Sequence, residues 1–104
     1  MTRGDIFRVR LAKGRGREQR GPRYAVIVQA DELLGLSTAI VAPTSRSAAP
    51  ATFRPEIQVA GEPTRVLVEQ LRAVDLGQLE HHAGRLTAEE QRGLDAALEL
   101  VLAL

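Results

Sequence analysis

A chain of 104 residues has the size of one small domain, spanning residues 1–104. Such a chain buries only about two-thirds of its unfolded surface and gains from a partner subunit. It has no cysteine, which excludes a disulfide framework and thiolate chemistry, and no signal-peptide core or membrane-length apolar run, so a cytoplasmic protein without membrane association is expected. The net charge of +1 hides an asymmetry: residues 1–23 carry eight Lys/Arg against two acids, and residues 69–104 carry seven acids against three arginines. That distribution suits an anionic polymer or partner at a cationic face.

Phe7-Arg8-Val9-Arg10-Leu11 alternates apolar and charged, which predicts a half-buried strand over Asp5–Leu11. Residues 13–23 follow as a glycine-rich loop with five cations and a single acid, Glu18. A cationic arm held at both ends by strands can close over a phosphate backbone, or can simply keep the surface solvated. Residues 24–28 form a short apolar run, expected to be a central strand, and residues 31–36 a turn or short helical excursion. Residues 38–42 are expected to be a third strand, stopped by Pro43, which cannot donate to a ladder. A fourth strand is predicted over residues 53–59, then a turn at Gly61-Glu62-Pro63 and a last strand over residues 65–69.

Thr87-Ala88-Glu89-Glu90 reads as a capping box. Leu94, Ala97, Leu98, Val101 and Leu102 then fall at helical spacing and predict one apolar stripe packed on the sheet. Four to six short strands and one terminal helix indicate a mainly β fold, a small barrel or half-barrel.

Several chemistries have little support. The only histidines, His81 and His82, are adjacent and read as a surface turn; neighbours cannot flank one scissile bond, and with no cysteine a metal site is not expected. No phosphate-binding glycine loop of the triphosphatase type is present. What remains is a constellation at strand ends: Arg23 after the basic loop, Thr44 and Ser45 after Pro43, and Glu69, Gln70 and Arg72 where the last strand runs out. Arginine and hydroxyl donors gathered around one phosphate can stabilise a pentacovalent phosphorane.

Gly4-Asp5-Ile6-Phe7, the segment Gly16-Arg17-Glu18-Gln19-Arg20-Gly21-Pro22-Arg23, and Val26-Ile27-Val28-Gln29-Ala30-Asp31 together resemble the MazF/PemK toxin family. Ala42-Pro43-Thr44-Ser45 and Val68-Glu69-Gln70-Leu71-Arg72-Ala73-Val74-Asp75 continue the resemblance in the family's order. It implies an SH3-like barrel of the CcdB/MazF type with a C-terminal helix, assembled as a homodimer. The implied activity is that of a sequence-specific, metal-independent endoribonuclease toxin needing no cofactor. It would cleave single-stranded mRNA by 2′-hydroxyl attack, leaving a cyclic phosphate and a free 5′-hydroxyl, and be inhibited by a cognate antitoxin. Carried over by position, Arg23 matches the catalytic arginine and Thr44 or Ser45 the catalytic hydroxyl. Glu18, Gln19, Glu69, Gln70 and Arg72 match positions lining the RNA site; Arg17, Arg20 and Arg46 add cations for RNA contact.

Tyr24 stands where the family has proline, and one apolar residue is missing between Pro43 and Thr44, which leaves the choice of hydroxyl open. Arginine stays protonated and is a poor base, so base catalysis is unassigned, with Glu18 the first carboxylate candidate and Asp75 a more distant one. Two alternatives are a CcdB-like gyrase poison and a non-catalytic nucleic-acid-binding barrel. Those poisons act through a tail carrying tryptophan, whereas this chain has none and ends Val101-Leu102-Ala103-Leu104.

Overall fold

The computed structural model describes residues 1–11 and 21–104. Seven strands and one helix follow in chain order: β1 (Asp5–Leu11), β2 (Gly21–Ile27), β3 (Thr38–Ser45), β4 (Glu56–Val59), β5 (Glu62–Val66), β6 (Arg72–Asp75), β7 (Leu79–Arg85) and α1 (Ala88–Leu102). The strands form one curled sheet in the order β4-β5-β3-β2-β1-β7, with β6 joined to β3 beside this path. Every described pairing is antiparallel. This is the half-barrel with a terminal helix expected from the sequence.

Alternation along the central strands feeds two cores. On one face Ile6, Val26, Ala42, Ile57, Val66 and Val68 pack with Leu94, Ala97 and Leu98 of α1. On the other, Val9, Leu11, Ala25, Ile27, Ala39 and Val41 pack with Val74. The end of β2, Ala25-Val26-Ile27, is apolar on both faces because both are covered there. The helix begins as its pattern requires: the Thr87 hydroxyl accepts from the Glu90 amide at 3.1 Å, and the Glu90 carboxylate accepts from the Thr87 amide at 2.9 Å. Its stripe runs out at the C-terminal turn, where Val101 is half-buried and Leu102 is 49% exposed.

The turns and strand limits depart from the expectations at identifiable places. β2 begins at Gly21, so the last three residues of the basic segment are strand, paired with β1 through Leu11↔Gly21, Arg10↔Pro22 and Val9↔Arg23. β3 does not stop at Pro43 but continues to Ser45 by changing partners. It pairs with β6 through Thr38 to Val41, with β2 through Val41 to Pro43, and with β5 through Thr44 and Ser45. The Pro43 carbonyl still accepts, from the Leu67 amide at 2.8 Å. The expected fourth strand is shorter, Glu56–Val59, because Phe53 and Arg54 lie in a turn before Pro55. The hairpin turn after it is Ala60-Gly61, both at positive φ (53° and 79°), as a two-residue turn of the twist-matching kind demands. Glu62 and Pro63 therefore belong to β5, and the expected strand over residues 65–69 gives way to a 3-10 turn at Val68–Gln70. The residues 31–36 segment holds a 3-10 turn at Asp31–Leu33.

His81 and His82 are not on a turn; both lie in β7, paired with Arg8 and Phe7 of β1. His82 has a structural role. Its ring meets Phe7 edge-on with centroids 5.3 Å apart, and its Nε2 lies 3.3 Å from the Asp5 carboxylate. Asp5 is 8% exposed and also accepts from the Thr2 amide at 2.8 Å and from Arg85 at 3.0 Å. Arg3 makes a second clasp, donating to the Val28 carbonyl at 3.1 Å and to Asp95 of α1 at 2.7 Å. Gly4, between them, sits at φ +92°, and a Cβ there would lie 2.5 Å from the Gln91 side chain. No described helix is long and apolar enough to cross a membrane.

Two stability measurements check this account. Leu94, fully buried on the inner face of α1, is expected to cost about 3 kcal/mol on Leu94→Ala, read from denaturant midpoints. Burial alone would raise the Asp5 pKa, but the Thr2 amide, His82 and Arg85 outweigh it and hold the carboxyl below the ordinary 3.8. A depressed folded pKa contributes stability that is complete above the unfolded value and is lost as pH falls through the folded one. The melting temperature is thus expected to drop below about pH 4, with a shallower acid slope and a lower neutral-pH value in Asp5→Asn.

Candidate active site

The β2–β3 ladder ends at Ala25↔Pro43, and the next two residues of β3 pair with β5 instead. Where β3 leaves β2, the two strands splay. A cavity of about 410 Å³ opens between them, lined by Arg23 and Tyr24 on one side and Thr44, Ser45, Arg46 and Ser47 on the other. Arg8 of β1 and Val59 and Thr64 of the β4–β5 hairpin complete the lining. The lining thus holds three guanidinium groups and five hydroxyls and no described carboxylate. Donors gathered with no carboxylate among the described lining can receive an anion.

The two adjacent hydroxyls differ in what they are free to do. Thr44 is 4% exposed, and its Oγ1 donates to the Tyr24 carbonyl at 2.8 Å. That bond ties β3 to β2 just beyond the end of their ladder, and commits the hydroxyl proton. Ser45 is half-buried, with its Oγ 3.3 Å from the Ser47 Oγ. Strand alternation places Ser45 on the side of Pro43 and Ala25, the side that Arg23 also takes. Thr44, Tyr24 and Arg8 lie on the opposite side, continuing the row of Ala42, Val26 and Ile6.

The cations differ as well. Arg23 is exposed, and among the described residues neither it nor Arg8 has an ion-pair partner. Arg8 lies 5.5 Å above the centre of the Tyr24 ring. Arg46 is paired with Glu62 at 3.2 Å, both more than half exposed, a contact that exchanges readily.

Of the residues singled out in the sequence, Arg23, Thr44, Ser45 and Arg46 come together around this cavity. Arg17, Glu18, Gln19 and Arg20 lie outside the described residues. Glu69, Gln70 and Arg72 are not part of the lining. Glu69 and Gln70 sit in the 3-10 turn after β5, and Arg72 opens β6 opposite Val41. Glu69 is held by Arg54, whose Nε and Nη2 approach the same carboxylate oxygen at 2.7 and 2.6 Å. Arg8 also lines the cavity, although in sequence it looks like an ordinary strand residue. The available signal was the cation at the inward-facing position of β1, two residues from the buried Ile6.

Against this geometry the comparisons with known proteins are direct. The family model of the PemK-like, MazF-like toxins of type II toxin-antitoxin systems matches residues 2–102. The chain belongs to that family. A candidate toxin of Mycobacterium tuberculosis is 47% identical over 77 residues, which are 73% of this chain and 72% of that relative. Solved structures show the same fold at low identity. MazF from Deinococcus radiodurans superposes with a TM-score of 0.87 at 18% identity, covering 100% of this chain and 97% of its own. A mycobacterial endoribonuclease solved with its cognate antitoxin gives 0.85 at 14% identity, with coverage of 100% and 96%. The M. tuberculosis toxin MazF-mt6 gives 0.81 at 17% identity, with coverage of 96% and 97%. The fold, with its curled sheet and terminal helix, is therefore of the MazF type.

Replacing Thr44 by valine in this MazF-type chain is expected to lower stability by about 1 kcal/mol, because the part-buried Tyr24 carbonyl loses its donor. Ser45→Ala is expected to leave the denaturant midpoint within about 0.5 kcal/mol of wild type.

Proposed function

We propose that this chain is a sequence-specific, metal-independent endoribonuclease toxin, which cleaves single-stranded RNA and is restrained by a cognate antitoxin. The observation that carries this reading is the cavity where β2 and β3 part, in which Arg23 and Ser45 share one side and no described carboxylate opposes an anion. Membership of the toxin family supports the biological role, and relatives solved with antitoxins support a protein inhibitor.

In the proposed reaction the 2′-oxygen of one nucleotide attacks its own 3′-phosphorus. A bond forms from the 2′-oxygen to phosphorus, and the bond from phosphorus to the 5′-oxygen of the next nucleotide breaks. The 2′-hydroxyl proton leaves to a base and the departing 5′-oxygen takes up a proton, giving a 2′,3′-cyclic phosphate and a free 5′-hydroxyl. Negative charge on the equatorial oxygens peaks in the phosphorane, and there the Arg23 guanidinium and the Ser45 hydroxyl donate. Donors fixed before the reaction stabilise that charge without reorganising, which is the largest contribution such a site makes. Thr44 has its proton committed to the Tyr24 carbonyl, so it acts as a positioning residue for the β2–β3 junction rather than as the phosphoryl donor. No histidine or carboxylate among the described lining residues serves as base; Glu18, the sequence candidate, lies outside them.

A homodimer belongs to the same reading. Leu33, Leu36, Ile40 and Leu102 are 42–55% exposed and border an apolar cavity of about 730 Å³ between β3, the 3-10 turn at Asp31–Leu33 and α1. A second copy covering this face would remove that apolar surface from water.

Arg23→Ala is expected to lower cleavage of a long defined RNA in EDTA by at least about 100-fold with an unchanged melting temperature. Ser45→Ala is expected to fall well below Thr44→Val in rate once both are compared as folded protein. Near-normal cleavage by Arg23→Ala would sink the assignment. For the dimer, Ile40→Arg should convert a two-chain mass in light scattering to a one-chain mass, with circular dichroism unchanged.

A further inference from the structure

The cavity at the β2–β3 junction has two cationic sides, and the proposed reaction uses only one of them. Arg23 and Ser45 occupy the side of Ala25 and Pro43; Arg8, Tyr24 and Thr44 occupy the side of Ile6, Val26 and Ala42. Arg8 is paired with Tyr24 across the β1–β2 ladder, and its guanidinium lies over the Tyr24 ring, 5.5 Å from the centroid. The ring, half-buried against the first core, restricts where that guanidinium can go. Among the described residues it has no carboxylate partner. Arg3, Arg46, Arg54, Arg65 and Arg85 all have one.

A half-buried, ring-supported and unpaired guanidinium facing a cavity that already contains a second free arginine carries a cost. The two like charges repel, and no carboxylate among the described residues offsets the burial of Arg8. Two anionic groups, one on each side, would remove both penalties. Successive phosphates of one nucleic-acid strand are such a pair, joined at a fixed separation.

We propose that Arg8, supported on Tyr24, is a second phosphate site of this toxin, gripping the non-bridging oxygens of the phosphate next to the scissile one. The inference rests on the endoribonuclease reading and extends it. The ligand this cavity takes is a strand segment with two consecutive phosphates, the scissile one at Arg23 and Ser45 and its neighbour at Arg8. Planarity suits the role, because a guanidinium can lie on the ring while directing two N–H groups at one phosphate.

The test uses a short oligoribonucleotide centred on a cleavage site mapped in a long RNA, with 2′-deoxyribose at the scissile nucleotide so that it binds without reacting. Each phosphate in turn is replaced by a neutral methylphosphonate, and affinity is read by fluorescence anisotropy for wild type and Arg8→Gln. In wild type, two adjacent replacements are expected to weaken binding about tenfold each. In Arg8→Gln one of the two loses its effect while the other keeps it, the signature of a coupled pair. The slope of log affinity against log salt should also become shallower by about 0.7, one phosphate contact on a single strand. Arg8→Lys, which keeps the charge and most of the stem, should retain the slope while binding more weakly, and serves if the glutamine variant does not fold.

The assignment is overturned if every replacement costs the same in Arg8→Gln as in wild type, or if the salt slope does not change. Should no cleavage site map on any RNA, the endoribonuclease reading fails by itself. The salt slope of poly(U) binding then decides Arg8 alone, a change of about 0.7 supporting it and an unchanged slope overturning it.

Discussion

Within its eight residues β3 serves three neighbours in turn, and the rest of the molecule is arranged around that requirement. In this sheet the curl is accompanied by a handover of the β3 ladder from one partner to the next. Here the handover falls at Pro43, where a missing amide proton costs least because the ladder to β2 is ending there anyway. The carbonyl that remains is taken by the Leu67 amide. Beyond it β2 and β3 separate, and Thr44 bridges the widening gap through its hydroxyl to the Tyr24 carbonyl. The cavity exists because of that divergence, and so does the meeting of Arg23 with Ser45.

The arginines of this fold divide by what surrounds them. Arg3 and Arg85 tie the N-terminal segment to α1 and β7, and Arg54 ties the chain before β4 to the turn after β5. These contacts are partly exposed, so their value lies in fixing geometry more than in net free energy. Arg8 and Arg23 have no such partners among the described residues, and they line the same cavity. Like charges left uncompensated at one place lower stability, a cost that functional sites carry and that a bound polyanion relieves.

How much of this was legible from residues depends on whether a local or a non-local force set each feature. The helix was readable from its cap and most of its stripe, since Thr87 and Glu90 cap it and Leu94, Ala97 and Leu98 mark its buried face, although Leu102 of the expected stripe lies exposed. β1 was readable because its alternation reports one buried face. β6 and β7 were not: Arg72-Ala73-Val74-Asp75 buries only Val74, and no residue of β7 is fully buried. Such strands are held by backbone pairing and by contacts such as Asp5 with His82 and Arg85, which leave no hydrophobic period behind. The extension of β3 through Pro43 was hidden for the opposite reason, since proline reads as a stop wherever the partner on its amide side is unknown.

The same division runs through the site. Arg23, Thr44, Ser45 and Arg46 stood out because cations and hydroxyls at strand ends are locally conspicuous, and family motifs surround them. Which hydroxyl is free, and that Arg8 belongs with them, could not be read along the chain. The first depends on a bond between residues 20 apart in sequence, and the second on a ladder that lays Arg8 beside Tyr24. Residue type and spacing are local properties and carry capping, periodicity and charge. Which side chains share a cavity depends on strand register and on where a ladder changes partner, and these arise only when distant segments pair.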